Sequence, residues 1–296
     1  MWNILCWNIR GLNASSKCDA LRNKIDESNC SIVCLQETKK LEFDHSFIRK
    51  CCPRRFDKFE FIPSDGASGG LVIIWCSSQF VGQIIHQFPF AITIKMTSVQ
   101  TNESWFLSNI YGPCEGPERA MFTDWMYSLN IETEDLWLFM GDFNFMRSLE
   151  NRNLLGGNVD DVIKFNEIIS HLGLFEIPIK GRRYTWSNMQ ETPLLEQLDW
   201  FFSSPEWILK FPNTNAKPLA RPISDHVPCI LSVETSIPRS KLFRFGNFWP
   251  SHPGFLEVVK SSWNAPIKAS SSATRISAKL KRLRYALKNG ANRSRS

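Results

Sequence analysis

Four apolar runs along the chain end in polar groups suited to chemistry, and they set the framework for everything else. Residues 136–140 run into Gly141-Asp142-Phe143-Asn144, residues 1–9 carry Asn8 near their end, residues 31–36 stop at Glu37, and residues 227–233 follow Ser224-Asp225-His226. Short apolar runs of this kind read as strands buried on both faces. Gly141 lets the backbone turn where its strand emerges, and Asp142 and Asn144, two apart, share a side if the strand geometry persists. On this stretch alone the competing reading is an Asx-turn in which Asp142 caps a loop. Repetition at four strand ends points instead to one rim of a sheet structure where Asn, Glu, Asp and His meet. Charges gathered at one rim repel, and a hard divalent cation with oxygen ligands relieves the repulsion.

The intervening pattern supplies the other elements. Ser15 or Ser16 predicts the N-cap of a short helix with Ala20, Leu21 and Ile25 on one side. Residues 41–61 are aromatic and basic without a clear period, with a bend at Cys51-Cys52-Pro53. Ser68-Gly69-Gly70 leads into a strand over 71–75; no Gly-Lys-Ser/Thr follows, so the glycines read as a turn and not a phosphate loop. Residues 80–97 and 104–111 read as strands, the second ending at Tyr111-Gly112-Pro113. Met121, Phe122, Trp125, Met126 and Leu129 recur at helical spacing and form a core stripe. A further helix has Asp160 and Asp161 in its first turn, Val162, Phe165, Ile169 and Leu172 on its buried face, and Gly173 at its end. His171, on that helix, reads as an ordinary surface or packing residue. Arg182, Arg183, Tyr184, Thr185 and Trp186 mix basic, aromatic and hydroxyl groups, which suits a phosphate backbone and a stacked base; a hairpin with a solvated end is the plainer alternative. Asp199 sits among apolar neighbours and requires a partner, for which His226 is the natural candidate.

Composition narrows the class. With 296 residues, 43% of them hydrophobic, and with 11 Trp and 22 Phe, the chain can bury a thick, multilayer α/β core. Nine Cys without a C-x-x-C pair argue against a zinc ribbon, a redox motif or a closed disulfide framework, and read as reduced, buried hydrophobes. The first residues carry neither a basic n-region nor an apolar h-region, and no apolar run is long enough for a bilayer. A nuclear or cytoplasmic, membrane-free location is therefore expected. Residues 236–296 hold 13 Lys and Arg against one acid, Glu257, while residues 1–235 hold 22 against 28. An acidic body thus carries a basic tail, and the tail would attract a polyanion most strongly.

Together the motifs resemble a known family. Trp7-Asn8, Leu35-Gln36-Glu37-Thr38, Ile110-Tyr111-Gly112-Pro113, Gly141-Asp142-Phe143-Asn144, Leu198-Asp199 and Ser224-Asp225-His226 occur in the order of the endonuclease/exonuclease/phosphatase family. The finer wording, including Trp7-Asn8-Ile9-Arg10-Gly11-Leu12 and Tyr184-Thr185-Trp186-Ser187-Asn188, resembles the apurinic-type endonuclease domain of plant non-LTR (LINE) retrotransposons, over residues 1–235. That resemblance implies a DNase I-like α/β sandwich of four layers, two facing and mainly antiparallel sheets flanked by helices. It also implies Mg²⁺-dependent cleavage of a DNA phosphodiester, with Mn²⁺ as a substitute, by a monomer. By the same resemblance Glu37 is the principal metal ligand, with Asn8, Asp225, Asp142 and Asn144 around it. Asp142 orients or deprotonates the attacking water, Asn144 and His226 bind the scissile phosphate, Asp199 holds His226, and Tyr111 contacts the phosphate near the leaving group. Thr185 and Ser224 complete the phosphate shell, with Arg182, Arg183 and Trp186 on the DNA.

Trp200 departs from the pattern, since relatives often carry a basic residue there, and this puts phosphate affinity in question. Residues 236–296 resemble the start of the region that joins such nucleases to a reverse transcriptase, which is absent from this chain. In it, residues 243–249 are aromatic and basic, while Ile276, Leu280, Leu283 and Leu287 form a stripe on a basic helix with no evident packing partner; mobility is expected beyond about residue 265. Three rivals stand beside the retroelement nuclease: a repair endonuclease for abasic sites, a phosphatase or phosphodiesterase on lipids or nucleotides, and a non-catalytic remnant that binds nucleic acid through its tail.

Overall fold

A computed structural model describes residues 2–66, 68–132, 134–234, 254–267 and 272–293. The chain divides into two units, Met1–Ile237 and Pro238–Ser296. In the first unit the strands are β1 (Trp2–Asn8), β2 (Ile32–Gln36), β3 (Lys58–Asp65), β4 (Ser68–Trp75), β5 (Phe80–Phe88), β6 (Ala91–Ser98), β7 (Ser104–Tyr111), β8 (Trp137–Asp142), β9 (Phe175–Glu176), β10 (Trp186–Ser187), β11 (Leu195–Glu196), β12 (Asp199–Ser203), β13 (Asn215–Pro218) and β14 (Cys229–Val233). Its helices are α1 (Ser15–Ser28), α2 (His45–Cys51), α3 (Glu118–Ser128), α4 (Val159–His171) and α5 (Pro205–Lys210).

One sheet runs β13-β14-β1-β2-β4-β3 and the other β5-β6-β7-β8-β12-β9, with β10 and β11 forming a separate ribbon. Only β1–β2 and β7–β8 pair in parallel within these sheets; the other pairs are antiparallel. Between the sheets lies an apolar core of Ile4, Cys6, Cys34 and Ile73 from the first with Ile94, Leu107, Met140 and Phe201 from the second. The far face of the first sheet packs Leu5, Val33 and Ile74 on Leu21 and Ile25 of α1 and Ile48 of α2, and the far face of the second packs Phe139 and Phe202 on Phe122 of α3 and Phe165 of α4. The first unit is thus a four-layer α/β sandwich, and both faces of its central strands are covered. That double burial is why β2 and β8 read as unbroken apolar runs, with every residue buried.

Several elements differ from the pattern-based expectation. α1 is capped one residue before its serines: Ala14 is the N-cap, without a side-chain cap, and its carbonyl accepts from the Lys17 and Cys18 amides. Residues 41–61 hold α2 and the start of β3, where no period was visible; α2 is opened by Asp44, whose carboxylate accepts from the Phe47 amide at 2.6 Å. Residues 80–97 form a hairpin, β5 and β6, turned at Pro89-Phe90. In α3 the stripe holds for Phe122, Trp125 and Met126, with Leu129 partly buried against them and Met121 exposed. α4 ends as read: Gly173, at φ +62°, lets its own amide reach the Ser170 carbonyl and the Leu174 amide reach Ile169. All nine cysteines are free thiols, eight of them buried and Cys114 exposed.

The second unit contains α6 (Phe255–Asn264) and α7 (Ser272–Arg293). α7 has a neighbour in α6, for which the sequence pattern gave no expectation, and the contacts between them run through polar side chains more than through the apolar stripe. Arg282 of α7 donates to the carbonyls of Ala265 and Pro266 just past α6, Lys279 lies over the Trp263 ring, and Leu287 is buried, whereas Ile276 and Leu280 stay exposed. Residues 243–249 lie outside the described residues. Among the described residues no helix is long and apolar enough to cross a membrane.

Candidate active site

Strand direction brings the polar strand ends to one rim. β1 and β2 run in parallel with Asn8 opposite Gln36, so Asn8 and the following Glu37 emerge together. β14 runs against β1, with Cys229 opposite Cys6, and its leading segment Ser224-Asp225-His226 therefore enters at the same end. In the facing sheet β7 and β8 place Tyr111 opposite Asp142, and the antiparallel β12 starts with Asp199 opposite Asp142. Close approach of these ends depends on glycine. A Cβ on Gly141 (φ +142°) would lie 2.0 Å from the Ile110 carbonyl oxygen, and one on Gly112 2.1 Å from that of Phe143.

The centre of the rim is a buried hydrogen-bonded assembly. His226 Nδ1 lies 2.9 Å from Asp199 Oδ2, and its Nε2 lies 3.5 Å from Asp142 Oδ2. Asn8 Nδ2 donates to the same Asp142 oxygen at 2.8 Å, which ties the two sheets together. Asn144 donates its backbone amide to Asp142 Oδ1 at 3.1 Å and its Nδ2 to the Gly112 carbonyl at 2.7 Å. The Asx-turn at Asp142 and the gathering of acid-base groups are therefore both present, in one geometry. Burial pushes the Asp142 carboxyl up to about 7, against the opposing pull of His226. For His226 burial works the other way, but the charges of Asp199 and Asp142 outweigh it and raise the imidazole to about 9. Burial, then the charge of Glu37, raises the Tyr111 phenol above its ordinary value.

Around this centre lies a second set of contacts. Glu37 Oε1 meets Lys39 Nζ at 3.0 Å. Asp225 Oδ2 accepts from the Arg10 guanidinium and, at 2.9 Å, from the Trp186 indole. Ser224 Oγ donates to the Asn8 carbonyl at 2.8 Å, and Thr185 Oγ1 accepts the amides of Leu198 and Asp199, each at 3.1 Å. Ser224 and Thr185 are thus occupied in shaping the backbone that carries Asn8 and Asp199. Arg182 donates to the Tyr184 carbonyl, and Arg183 is engaged by Glu150, so neither is drawn into the buried assembly. A cleft of about 370 Å³ opens beside Asn144, lined in part by the pairs Arg119–Asp161 and Arg152–Glu196.

Trp200 follows Asp199 on a strand and so points to the opposite face. There it is buried and donates its indole N–H to the Phe145 carbonyl at 2.8 Å. The departure at this position therefore lies in the outer core and leaves the rim untouched. Sequence reasoning missed the pairing of Arg10 with Asp225 and of Lys39 with Glu37. For Lys39 a signal was available, a base two residues after Glu37; for Arg10 there was none, because its partner lies 215 positions away. It also missed Gln36, which donates to Asn109 Oδ1 at 2.5 Å across the core while Asn109 donates to the Leu35 and Val72 carbonyls.

Asp142, Asp199 and His226 could bring three ligand atoms within 4.8 Å of one another. Their facing atoms are already spent on each other and on Asn8, which suits proton handling better than metal binding. Glu37, whose carboxylate is met by one flexible ammonium, and Asn8 one strand away, whose Oδ1 accepts the Arg10 amide at 3.1 Å, offer hard oxygen donors, and this fits a magnesium-like ion.

Comparison with known proteins places this geometry. A family model described as "Endonuclease/Exonuclease/phosphatase family" matches residues 5–226. A Xenopus laevis protein described as "Transposon TX1 uncharacterized 149 kDa protein" is 22% identical over 173 residues, covering 55% of this chain; the match spans 13% of that relative's length. Among solved structures, an AP endonuclease from Archaeoglobus fulgidus superposes with a TM-score of 0.62 at 15% identity, covering 79% of this chain and 100% of that one. The endonuclease domain of TRAS1, a telomere-specific non-LTR retrotransposon, gives 0.59 at 10% identity, covering 79% and 98%.

Proposed function

Since the chain belongs to the endonuclease/exonuclease/phosphatase family, we propose that it is a divalent-metal-dependent DNA endonuclease of LINE retroelement type, hydrolysing a phosphodiester in target DNA. The observation that carries the reading is His226 set between Asp199 and Asp142, with Asn8 reaching Asp142 from the facing sheet. The relatives TX1 and TRAS1 and the wording of the motifs support the retroelement assignment.

Hydrolysis adds charge to a phosphate that is already an anion, so fixed donors and a proton acceptor are needed. Asp142 takes a proton from the water whose oxygen attacks phosphorus; a carboxyl raised to about 7 is well matched to that task near neutral pH. His226, kept cationic and oriented by Asp199, donates from Nε2 to a phosphate oxygen. Asn144 contacts the same phosphate with its amide, and Tyr111 donates its phenol proton near the leaving oxygen as the P–O bond breaks. A magnesium or manganese ion held by Glu37, with Asn8 beside it, would supply further positive charge to the phosphate oxygens. Thr185 and Ser224 act as positioning residues through the backbone they hold. Arg182, Arg183 and Trp186 line the approach of the DNA backbone.

Supercoiled plasmid incubated with Mg²⁺ is expected to be nicked, with activity lost on chelation and restored by Mg²⁺ or Mn²⁺. Nicking that survives full chelation would overturn the metal-dependent reading. A duplex carrying an abasic site, cleaved in parallel with an intact one, distinguishes target cleavage from repair: strong preference for the abasic duplex would reassign the protein to repair.

A further inference from the structure

The two outer carboxylates of the rim are held by unequal cations. Glu37 is met by the Lys39 ammonium, 32% exposed, at 3.0 Å. Asp225 is 6% exposed, and its Oδ2 takes an N–H of Arg10 together with the Trp186 indole N–H. The Ser224 hydroxyl approaches its other oxygen at 3.4 Å. Arg10 is itself fixed at its backbone: its amide donates to Asn8 Oδ1 at 3.1 Å, and the next two amides, of Gly11 and Leu12, bond the carbonyls of Glu37 and Thr38.

These differences decide which carboxylate a divalent ion can reach. An ammonium is a point charge on a flexible stem, and an arriving ion displaces it without leaving a buried group unpaired. A guanidinium on a buried carboxylate that also accepts an indole N–H is another matter. Expelling it would strand one partner's charge, and the carboxylate has few lone pairs left to offer.

We propose that Arg10 is the resident cation of the site: it holds Asp225 and keeps that carboxylate out of the metal shell, so that a divalent ion binds at Glu37 and not at Asp225. The resemblance implies Asp225 as a ligand; here it instead anchors Arg10 and Trp186. This proposal rests on the metal-dependent reading above and deepens it.

Titration of the full chain with Mn²⁺, read from the electron paramagnetic resonance signal of the free ion and without DNA, tests it directly. The wild type is expected to bind one Mn²⁺, Glu37→Gln to weaken that site about 100-fold, and Asp225→Asn to change it less than about threefold. Arg10→Ala is expected to gain a second Mn²⁺, which the double variant with Asp225→Asn loses again. Asp225→Asn weakening Mn²⁺ as much as Glu37→Gln would overturn the proposal while leaving the nuclease reading intact. So would Arg10→Ala with the stoichiometry and affinity of the wild type. A wild type that binds no Mn²⁺ would sink both. Arg10 is 54% exposed, so its alanine variant opens no cavity, and the Trp186 indole N–H still reaches the Asp225 carboxylate; the variant carries the test even if Asp225→Asn does not fold.

Discussion

The inner carboxylates of the rim and the outer ones are built differently. Asp142 and Asp199 are buried and bound to an imidazole, two amides and each other's neighbours, all supplied by elements that cannot move without opening a sheet. Glu37 and Asp225 lie further out, each answered by a cation two residues past a motif position. Burial raises the Asp142 carboxyl above its ordinary value, and the charges of Asp199 and Asp142 raise the His226 imidazole against its own burial. The outer carboxylates are each paired with a cation instead. The difference assigns proton chemistry to the inner set and ion pairing to the outer set, and substitutions can break or sharpen that division.

The largest effect is expected at the inner set. Asp142→Ala and His226→Ala should each lower the single-turnover nicking rate by about 10²–10⁴-fold at saturating Mg²⁺. Mn²⁺ binding in His226→Ala should stay within a few-fold of wild type, because that imidazole is engaged by carboxylates and not by the ion. Full nicking by either variant would remove the inner set from catalysis.

Thr185 supports the inner set without joining it. Thr185→Ala leaves the buried amides of Leu198 and Asp199 without their acceptor and should cost about 1–3 kcal/mol in urea denaturation. Thr185→Ser, which keeps the oxygen, should recover most of the loss. Equal destabilisation by both would assign the effect to packing of the methyl group.

Asp199→Asn probes the charge of the assembly. Folding raises the His226 pKa above its ordinary 6.5, to about 9, so the imidazolium adds stability in full below pH 6.5 and loses it as pH climbs through about 9. The stability gap between wild type and Asp199→Asn should therefore be widest near pH 6 and close toward pH 9–10, as measured by denaturation at several pH values. A gap that stays constant over that range would show that Asp199 does not sustain the charged imidazole.

How much of this was legible in the sequence follows from how local each signal is. Asp142 and Asn144 stood out because a doubly buried strand has no packing reason to end in them, and the Asp199–His226 pair was readable because a carboxylate among apolar residues must find a partner. The layer architecture came from motif order more than from periodicity, since strands covered on both faces do not alternate. α2 was invisible: it buries only Ile48 and Cys51, and its start depends on one aspartate cap. Arg10 with Asp225 was out of reach for another reason, because 215 positions separate the partners and only the antiparallel entry of β14 beside β1 joins them. Trp200 was misjudged by motif comparison, which registers identity at a position but not the face to which a strand residue points.

The smallest effect is expected where the outer set is loosest. The Lys39–Glu37 pair is partly exposed and joined by one contact, and such pairs contribute roughly 0–1 kcal/mol. A divalent ion arriving at Glu37 has to displace that ammonium, so Lys39→Ala should tighten Mn²⁺ binding by no more than about fivefold. Arg10→Ala, in contrast, should alter the number of ions bound. The two alanine variants therefore separate a cation that gives way from one that stays, using the same titration. If Lys39→Ala weakened Mn²⁺ binding instead, the lysine would be holding Glu37 in its ligating position, and the outer carboxylates could no longer be divided by how readily each releases its cation.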